Sequence, residues 1–305
     1  METENKSRTA EDIVREYSTP LSIVAAGALI AMVMYAGPAT RGASSGRGAD
    51  TESSLQELVV PADGITLPII WGDLGAQMVE VGAIDAARME ALYQDRGGFP
   101  PEFRKMLEKN MNEKIVITST NSGYLLNLLW ALGLANKNPV LADTTEMMNP
   151  AYKGAGGFAS TGGWTLAQGN PMNHYNMHTL ITLTAAEQAL VDRVSRNIYR
   201  PCCNNSTHFP DCNHGMAMLG FLELMASQGV NEQDMYKAAL AVNSYWFPET
   251  YLTLATYMQN KGVEWKDISP QEVLGKNYSS SSGYANIASQ VTLPEQGGTS
   301  GGCSA

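Results

Sequence analysis

The feature that most constrains this chain is a short loop between two predicted helices, residues 201–215, with the sequence PCCNNSTHFPDCNHG. The loop holds three of the four cysteines and two of the four histidines in a chain of 305 residues. Thr184, three residues before a glutamate, has the spacing of a capping box and predicts a helix that extends to about Tyr199 and stops before a proline. A second helix is predicted from about Cys212 to Gly229, a natural left-handed cap. Two antiparallel helices joined in this way bring both ends of the loop to the same end of the pair.

Four residues form the core of the predicted site: Cys202, Cys203, Cys212 and His214. Cys202 and Cys203 follow the first helix, while Cys212 falls in the first turn of the second, where exposed N–H groups and the helix dipole favour a thiolate. His214 lies four residues before Met218 and therefore belongs to the apolar face of that helix. Soft sulfur and imidazole donors at short spacing are typical of a site for a thiophilic metal ion. Because adjacent cysteines rarely chelate one ion together, we expect one thiolate of the neighbouring pair to dominate.

Three further histidines are candidate ligands. His174 and His178 are four residues apart, which places both on one face of a helix or of a strand. They precede a helix that spans roughly 22 Å, so they reach the cysteines only if residues 179–184 fold back in an extended form. His208 lies within the loop and has no predicted direction. We therefore include His174 and His178 among the predicted metal ligands, as a second pair that must fold back to join the site.

The donor set predicts copper first, as Cu(I), with zinc or an iron–sulfur centre as the other options. The sixteen methionines are either adaptable core side chains or thioether ligands for a soft ion, and core packing is the interpretation we favour. The spacing does not match a zinc finger, and the haem attachment signal C-x-x-C-H is absent from the sequence. Copper handling or electron transfer is therefore the predicted function.

Two alternatives use the cysteines without a metal. Four cysteines in an oxidising compartment allow three pairings, and a structural disulfide from Cys203 to Cys212 would close a hairpin. A thiol–disulfide redox role would use Cys202 and Cys203, with Cys303 on a glycine-rich tail as the thiol that exchanges with them. A scaffold that binds other proteins through the aromatic segment 245–251 is a third class. Whether the protein is an enzyme stays open, since the sequence has no G-x-S-x-G, G-x-G-x-x-G or G-x-x-x-x-G-K motif.

An uncharged run near the N-terminus predicts membrane attachment. Residues 21–37 are seventeen residues without a charge, at the short edge of a transmembrane helix. Residues 1–20, an N-terminal tail, are not net positive, which favours a signal anchor over a cleaved signal peptide. Residues 38–54 have the Gly, Ser and Ala content of a flexible linker. We expect the bulk of the chain to lie outside the cytoplasm, in the periplasm or at the cell surface. A net charge of −10 argues against nucleic-acid binding.

Residues 55–290 are predicted to form a single, mainly α-helical domain, because the sequence shows no sustained strand alternation. Residues 121–135, NSGYLLNLLWALGLA, predict a buried helix. Residues 147–173 predict an ordered glycine-rich loop, and residues 291–305 a flexible glycine-rich tail. Glu223, in the second helix of the hairpin, is expected on a solvated face.

Overall fold

The computed structural model describes residues 54–94 and 96–291, which form a mainly α-helical structure with a two-stranded sheet. The predicted anchor at residues 21–37, the predicted N-terminal tail, and the C-terminal segment that carries Cys303 lie outside these ranges, as does the predicted linker except for Ser54. Within the described ranges, no helix is long and apolar enough to cross a membrane. The prediction of a mainly helical domain is confirmed, while the anchor stays a prediction.

Eleven helices and two antiparallel strands are named here for the part of the chain that the structure describes. The strands are β1 (Ile65–Gly72) and β2 (Met111–Ile117). The helices are α1 (Leu74–Glu80), α2 (Ala86–Gln94), α3 (Pro101–Glu108), α4 (Ser122–Ala135), α5 (Ala185–Ser195), α6 (Asn213–Ser227), α7 (Glu232–Trp246), α8 (Pro248–Asn260), α9 (Pro270–Val273), α10 (Lys276–Ser279) and α11 (Ser281–Ala288). Short 3₁₀ turns lie between α4 and α5, at Pro139–Ala142, Pro150–Tyr152, Ala155–Gly157 and Pro171–Asn173, and between α8 and α9, at Trp265–Asp267.

Helices α4 and α6 form the centre of the core. Residues 128–135 of α4 are buried, and so is nearly every residue of α6. Their leucines, methionines and alanines are good helix formers that also bury well. Gly133 and Gly220 allow the two backbones to approach closely, because a Cβ on Gly133 would overlap the carbonyl oxygen of Met216 and a Cβ on Gly220 would overlap that of Leu129. The predicted buried helix at 121–135 is therefore confirmed as a central element of the fold.

The sheet is a feature that the sequence pattern did not predict. In β1, the side chains of Leu67, Ile69 and Trp71 are buried, whereas their neighbours Pro68 and Ile70 are more exposed. This is the period of two that a half-buried strand requires. The prediction failed because the exposed positions also hold apolar residues, so that polar and apolar residues do not alternate.

Helix α5 ends at Ser195, several residues before the predicted end near Tyr199. The chain leaves the helix because Tyr199 pairs with Ser206 in an antiparallel bridge and the N–H of Thr207 donates to the carbonyl of Ile198 at 2.8 Å. The loop between α5 and α6 therefore folds back on itself. The capping box at the start of α5 and the start of α6 after Cys212 are both confirmed.

Candidate metal centre

Three cysteines meet at the N-terminal end of α6. Cys212 is the N-cap residue of α6, and its Sγ atom accepts the N–H of Gly215 at 3.4 Å. The Sγ atom of Cys212 lies 3.5 Å from that of Cys202 and 4.0 Å from that of Cys203. All three sulfur atoms lie within 4.8 Å of one another, and the three residues are free, partly buried thiols. Both adjacent cysteines thus face Cys212, where we expected one of them to dominate.

The first turn of α11 holds the loop that carries the adjacent cysteines. The N–H of Ser281 donates to the carbonyl of Cys203 at 2.9 Å. The N–H of Ser282 donates to Oδ1 of Asn204, also at 2.9 Å. These bonds satisfy N–H groups at the start of α11 that have no partner within the helix. The position of the two cysteines is therefore fixed by the last described helix as well as by α5 and α6.

The guanidinium of Arg200 lies against the cysteine cluster and is almost fully buried. Its Nε donates to Sγ of Cys212 at 2.9 Å, and its Nη2 forms an ion pair with Oδ1 of Asp211 at 2.6 Å. The remaining N–H groups donate to the carbonyls of Asn205 at 2.9 Å and of Phe209 at 3.1 Å. Arg200 thus ties the loop together and brings a permanent positive charge to the sulfur of Cys212.

The three thiols have unequal acidities. Hydrogen bonds from Cys202 and Cys203, with the charge of Arg200, hold the pKa of Cys212 well below its ordinary value. The reciprocal interactions raise the pKa of Cys202, because its proton is held by Cys203 and Cys212. These interactions favour the thiolate form at Cys212 and the thiol form at Cys202. A thiolate is the form in which cysteine ligates metals and attacks electrophiles.

His214 lies at the edge of the cysteine cluster. Its Nδ1 is 4.0 Å from Sγ of Cys202. The ring packs between two aromatic side chains of the α7–α8 junction, with its centroid 4.4 Å from that of Phe247 and 5.7 Å from that of Trp246. His214 is therefore adjacent to the three sulfur atoms but outside the group that lies within 4.8 Å. Of the predicted histidine ligands, His214 contacts the cluster, at Sγ of Cys202.

His174 and His178 are not part of the cysteine cluster. The backbone of His178 pairs with Asn136, the residue that follows α4, and the two imidazoles contact each other with Nδ1 of His174 3.0 Å from Nε2 of His178. Asn136 in turn contacts Glu223, eleven residues beyond Cys212, which is about 16 Å along the axis of α6. The prediction that His174 and His178 fold back to the cysteine site was wrong, because their segment is bonded to the C-terminal end of α4.

His208 has a defined direction, although the sequence predicted none. The buried imidazole lies between two carboxylates, with Nδ1 2.6 Å from Oε2 of Glu146 and Nε2 2.8 Å from Oδ1 of Asp192. Arg196 also approaches both carboxylates. Asp143, Glu146 and His208 have donor atoms close enough to hold a cation. Arg196 offsets part of the negative charge of these carboxylates, and the contacts form an ion-pair network that fixes the loop to α5.

Glu223 is fully buried, so the prediction that it lies on a solvated face of α6 was wrong. Its Oε2 accepts a hydrogen bond from Asn136 Nδ2 at 2.9 Å, and its Oε1 accepts one from Asn138 Nδ2 at 2.6 Å. Burial raises the pKa of Glu223 to about 8, against the smaller effect of these two hydrogen bonds. A single glutamate in an otherwise apolar helix carries no signal that distinguishes a buried carboxyl from an exposed one.

Gly215 provides the space that Arg200 occupies. A Cβ at this position would lie 2.5 Å from Cζ of Arg200. We expect Gly215→Ala to displace the guanidinium, to lower the free energy of unfolding by about 1–3 kcal/mol, and to raise the pKa of Cys212. Urea unfolding and the ultraviolet absorbance of the thiolate as a function of pH measure the two effects. Gly123→Ala in α4 is the control, because a Cβ there meets no atom within 4 Å and should stabilise the helix slightly. Equal effects of the two substitutions would contradict the assigned role of Gly215.

Arg200 is the residue of this centre that the sequence did not reveal. The signal that could have identified it is the glycine at 215, one turn into a helix whose first turn faces the loop, although a single glycine in a helix is compatible with many kinds of neighbour. The arrangement offers three sulfur donors, a neighbouring imidazole and a fixed guanidinium. Comparison of the chain with protein-family models, with curated proteins and with solved structures finds no significant match.

Proposed function

We propose that this protein binds one thiophilic metal ion through Cys202, Cys203 and Cys212 and serves in copper handling or electron transfer. The observation that carries the proposal is the separation of the sulfur atoms, 3.5 Å and 4.0 Å from Cys212 to its two partners. Ligands that lie about 2.3 Å from an ion are about 3.8 Å apart in a tetrahedral site and about 4.0 Å apart in a trigonal one. The three thiols are therefore spaced as ligands before any ion is present.

The surroundings of the cluster also suit a metal site. Metal-bound thiolates are commonly oriented by hydrogen bonds from a second layer of residues, and Arg200 together with the N–H of Gly215 provides such bonds to Cys212. Three thiolates and no oxygen ligand suit Cu(I), while the same thiolates with His214 as a fourth ligand suit zinc. An iron–sulfur centre would use the same donors. Copper remains the first proposal, since three soft sulfur donors form a complete trigonal set for Cu(I).

The proposal includes the location of the protein. We propose that residues 21–37 anchor the chain in a membrane and that the helical domain lies outside the cytoplasm. The support is the uncharged run in the sequence and the linker-like composition that follows it. In such a compartment, cysteines that are not oxidised need a ligand or a reductant. Three closely spaced free thiols there are consistent with a bound metal ion.

A second candidate function is thiol–disulfide exchange. It is favoured by the 3.5 Å separation between Cys202 and Cys212 together with the lowered pKa of Cys212, since a thiolate next to a thiol is the reduced form of an exchanging pair. In this function Cys212 would attack an incoming disulfide and Cys202 would resolve the mixed disulfide. The proposed participation of Cys303 concerns a residue outside the described ranges.

Metal analysis of the full-length protein tests the first proposal. After purification without a chelator and anaerobic incubation with Cu(I), we expect the cysteine cluster to hold about one ion, measured as the amount that the wild type binds in excess of Cys212→Ser. Cys203→Ser and Cys212→Ser should each lower the affinity by at least about 100-fold, because a divalent or monovalent soft ion loses one of three thiolates. Affinity should also fall as the pH falls, since the ion must displace the proton of Cys202.

Cys303→Ser is the matched control, because it removes a thiol that the proposed site does not use. Full occupancy in Cys212→Ser would refute the assignment, and so would an equal loss in Cys303→Ser. A free-thiol titration of the same samples separates the two candidate functions. A protein with no bound metal and with two blocked thiols, which dithiothreitol releases, would favour thiol–disulfide exchange.

A further inference from the structure

His174 and His178 lie beside the C-terminal end of α4, and their imidazole rings face each other. Nδ1 of His174 lies 3.0 Å from Nε2 of His178, and the two ring centroids are 5.3 Å apart. The centroid distance exceeds the nitrogen–nitrogen distance by 2.3 Å (5.3 − 3.0), which is the sum of the two ring radii, so the two nitrogen atoms fall on the line that joins the centroids. The lone-pair direction of each nitrogen therefore points at the other ring. A single proton occupies the space between them.

The backbone carbonyl of Gln168 fixes the state of this pair. A carbonyl only accepts hydrogen bonds, so Nε2 of His174, 2.9 Å from it, must carry a proton. In the neutral pair, Nδ1 of His174 is then unprotonated and accepts the Nε2–H of His178. A ring N–H bonded to a backbone carbonyl, with the other nitrogen left free, is the arrangement that orients histidines as metal ligands.

A turn, rather than a helix or a strand, brings the two histidines together. Asn176 between them has a left-handed backbone (φ 57°), a conformation that asparagine tolerates better than most residues. Its N–H donates to the carbonyl of Leu134 at 2.8 Å, and its Oδ1 accepts the N–H of Asn138 at 2.8 Å. The turn is therefore tied to the end of α4. The backbone of His178 is also held, since its N–H donates to the carbonyl of Ala135 at 2.9 Å and its carbonyl accepts the N–H of Lys137 at 2.7 Å. Outward movement of His178 is therefore a movement of its partly exposed side chain.

The outer side of the pair is partly open to solvent. His174 is 7% exposed, whereas His178 is partly exposed and follows directly on Met177, which is 56% exposed. Met172, two residues before His174, is 36% exposed. Single apolar side chains at a surface are ordinary, so the two methionines are not counted as ligands of this pair.

We infer that His174 and His178 form a second metal site, which takes a linear two-coordinate soft ion such as Cu(I) between their facing nitrogen atoms. Metal–nitrogen bonds of about 2 Å require a separation of about 4 Å, so His178 moves outward by about 1 Å along the line that already joins the rings. The proton of His178 passes from Nε2 to Nδ1, and no other bond changes. This site shares no residue with the cysteine cluster and does not depend on it.

Silver(I), a stable ion that prefers two ligands in a line, is the probe. The parent for the experiment is full-length Cys303→Ser, so that the isolated thiol of the tail adds no binding site. Isothermal titration calorimetry with Ag(I) should give about two bound ions per chain for the parent and about one for His178→Ala in the same parent. In long-range ¹H–¹⁵N spectra of the parent, the second equivalent should convert His178 from the Nε2–H to the Nδ1–H form. Met177→Leu is the matched control and should keep both ions.

The possible outcomes separate this site from the cysteine cluster. If the cysteines bind nothing, the parent takes about one ion and His178→Ala takes none, which supports the histidine site and refutes the proposed function. If the parent and His178→Ala bind equal amounts, or if His178 keeps its tautomer, the histidine site is refuted. Loss of the second ion in Met177→Leu but not in His178→Ala would assign the binding to the thioether and would also overturn the inference.

Discussion

Arg200→Met should lower the free energy of unfolding by about 3–5 kcal/mol, the cost of breaking a buried ion pair. The guanidinium is almost fully buried and donates to Sγ of Cys212, to Oδ1 of Asp211 and to two backbone carbonyls. Methionine retains an unbranched apolar side chain but has no donor, so that these acceptors lose their partners. The pKa of Cys212 should also rise, because the positive charge next to its thiolate is removed. Urea unfolding and thiolate absorbance as a function of pH measure the two effects.

Arg193→Met is the matched control. Arg193 also forms an ion pair, with Glu232 at 2.8 Å, but its side chain is 55% exposed, and pairs of this kind contribute about 0–1 kcal/mol. Arg200→Lys provides a second test, since it keeps the charge without the planar set of donors and should recover only part of the lost stability. If Arg200→Met were as stable as Arg193→Met, the guanidinium would not hold the loop. If its stability fell but the pKa of Cys212 did not change, the effect on the thiolate would be refuted.

The cysteine cluster could be predicted because its position depends on chain connectivity. A capping box, a proline and a second helix start are local signals, and they bring Cys202, Cys203 and Cys212 to one end of a helical hairpin whatever the details of the loop. The end of α5 was less predictable. Residues 196–199 continue the helical pattern in the sequence, and only the pairing of Tyr199 with Ser206 interrupts it. This pairing forms because the loop folds back on itself, and the spacing of apolar residues does not reveal it.

Side chains whose role depends on a distant partner could not be placed. Glu223 is buried because Asn136 and Asn138, more than eighty residues earlier, supply its hydrogen bonds. His208 has a fixed direction because Glu146 and Asp192 face it from two other segments. In both cases the sequence shows only one half of the interaction. The histidine pair is intermediate, since the spacing predicted that His174 and His178 share a face, but the turn that joins them follows from contacts with α4.

Glu223→Gln should change the pH dependence of stability more than any other substitution of an acid in the described residues. The pKa of this buried carboxyl is raised to about 8 from an ordinary value of 4.5. The native state therefore binds a proton that the unfolded chain has already lost between these pH values. Its contribution to stability is fully present below about pH 4.5 and is lost as the pH rises to about 8. At about 1.4 kcal/mol for each pH unit, the loss amounts to about 5 kcal/mol, as an order of magnitude.

Glutamine stays neutral at every pH, so the stability of Glu223→Gln should not fall over this range. Its amide group, however, faces the amides of Asn136 and Asn138, which both donate, and the loss of one hydrogen bond should cost about 1–3 kcal/mol. We therefore expect the variant to be less stable than the wild type near pH 5 and more stable at pH 8 or above, so that the two curves cross. Urea unfolding at a series of pH values measures this directly. Glu108→Gln, at a position with a 53% exposed side chain, should follow the wild-type curve within about 0.5 kcal/mol. Parallel curves for the wild type and Glu223→Gln would show that the carboxyl is ionised in the folded protein, held in that form by the two asparagines.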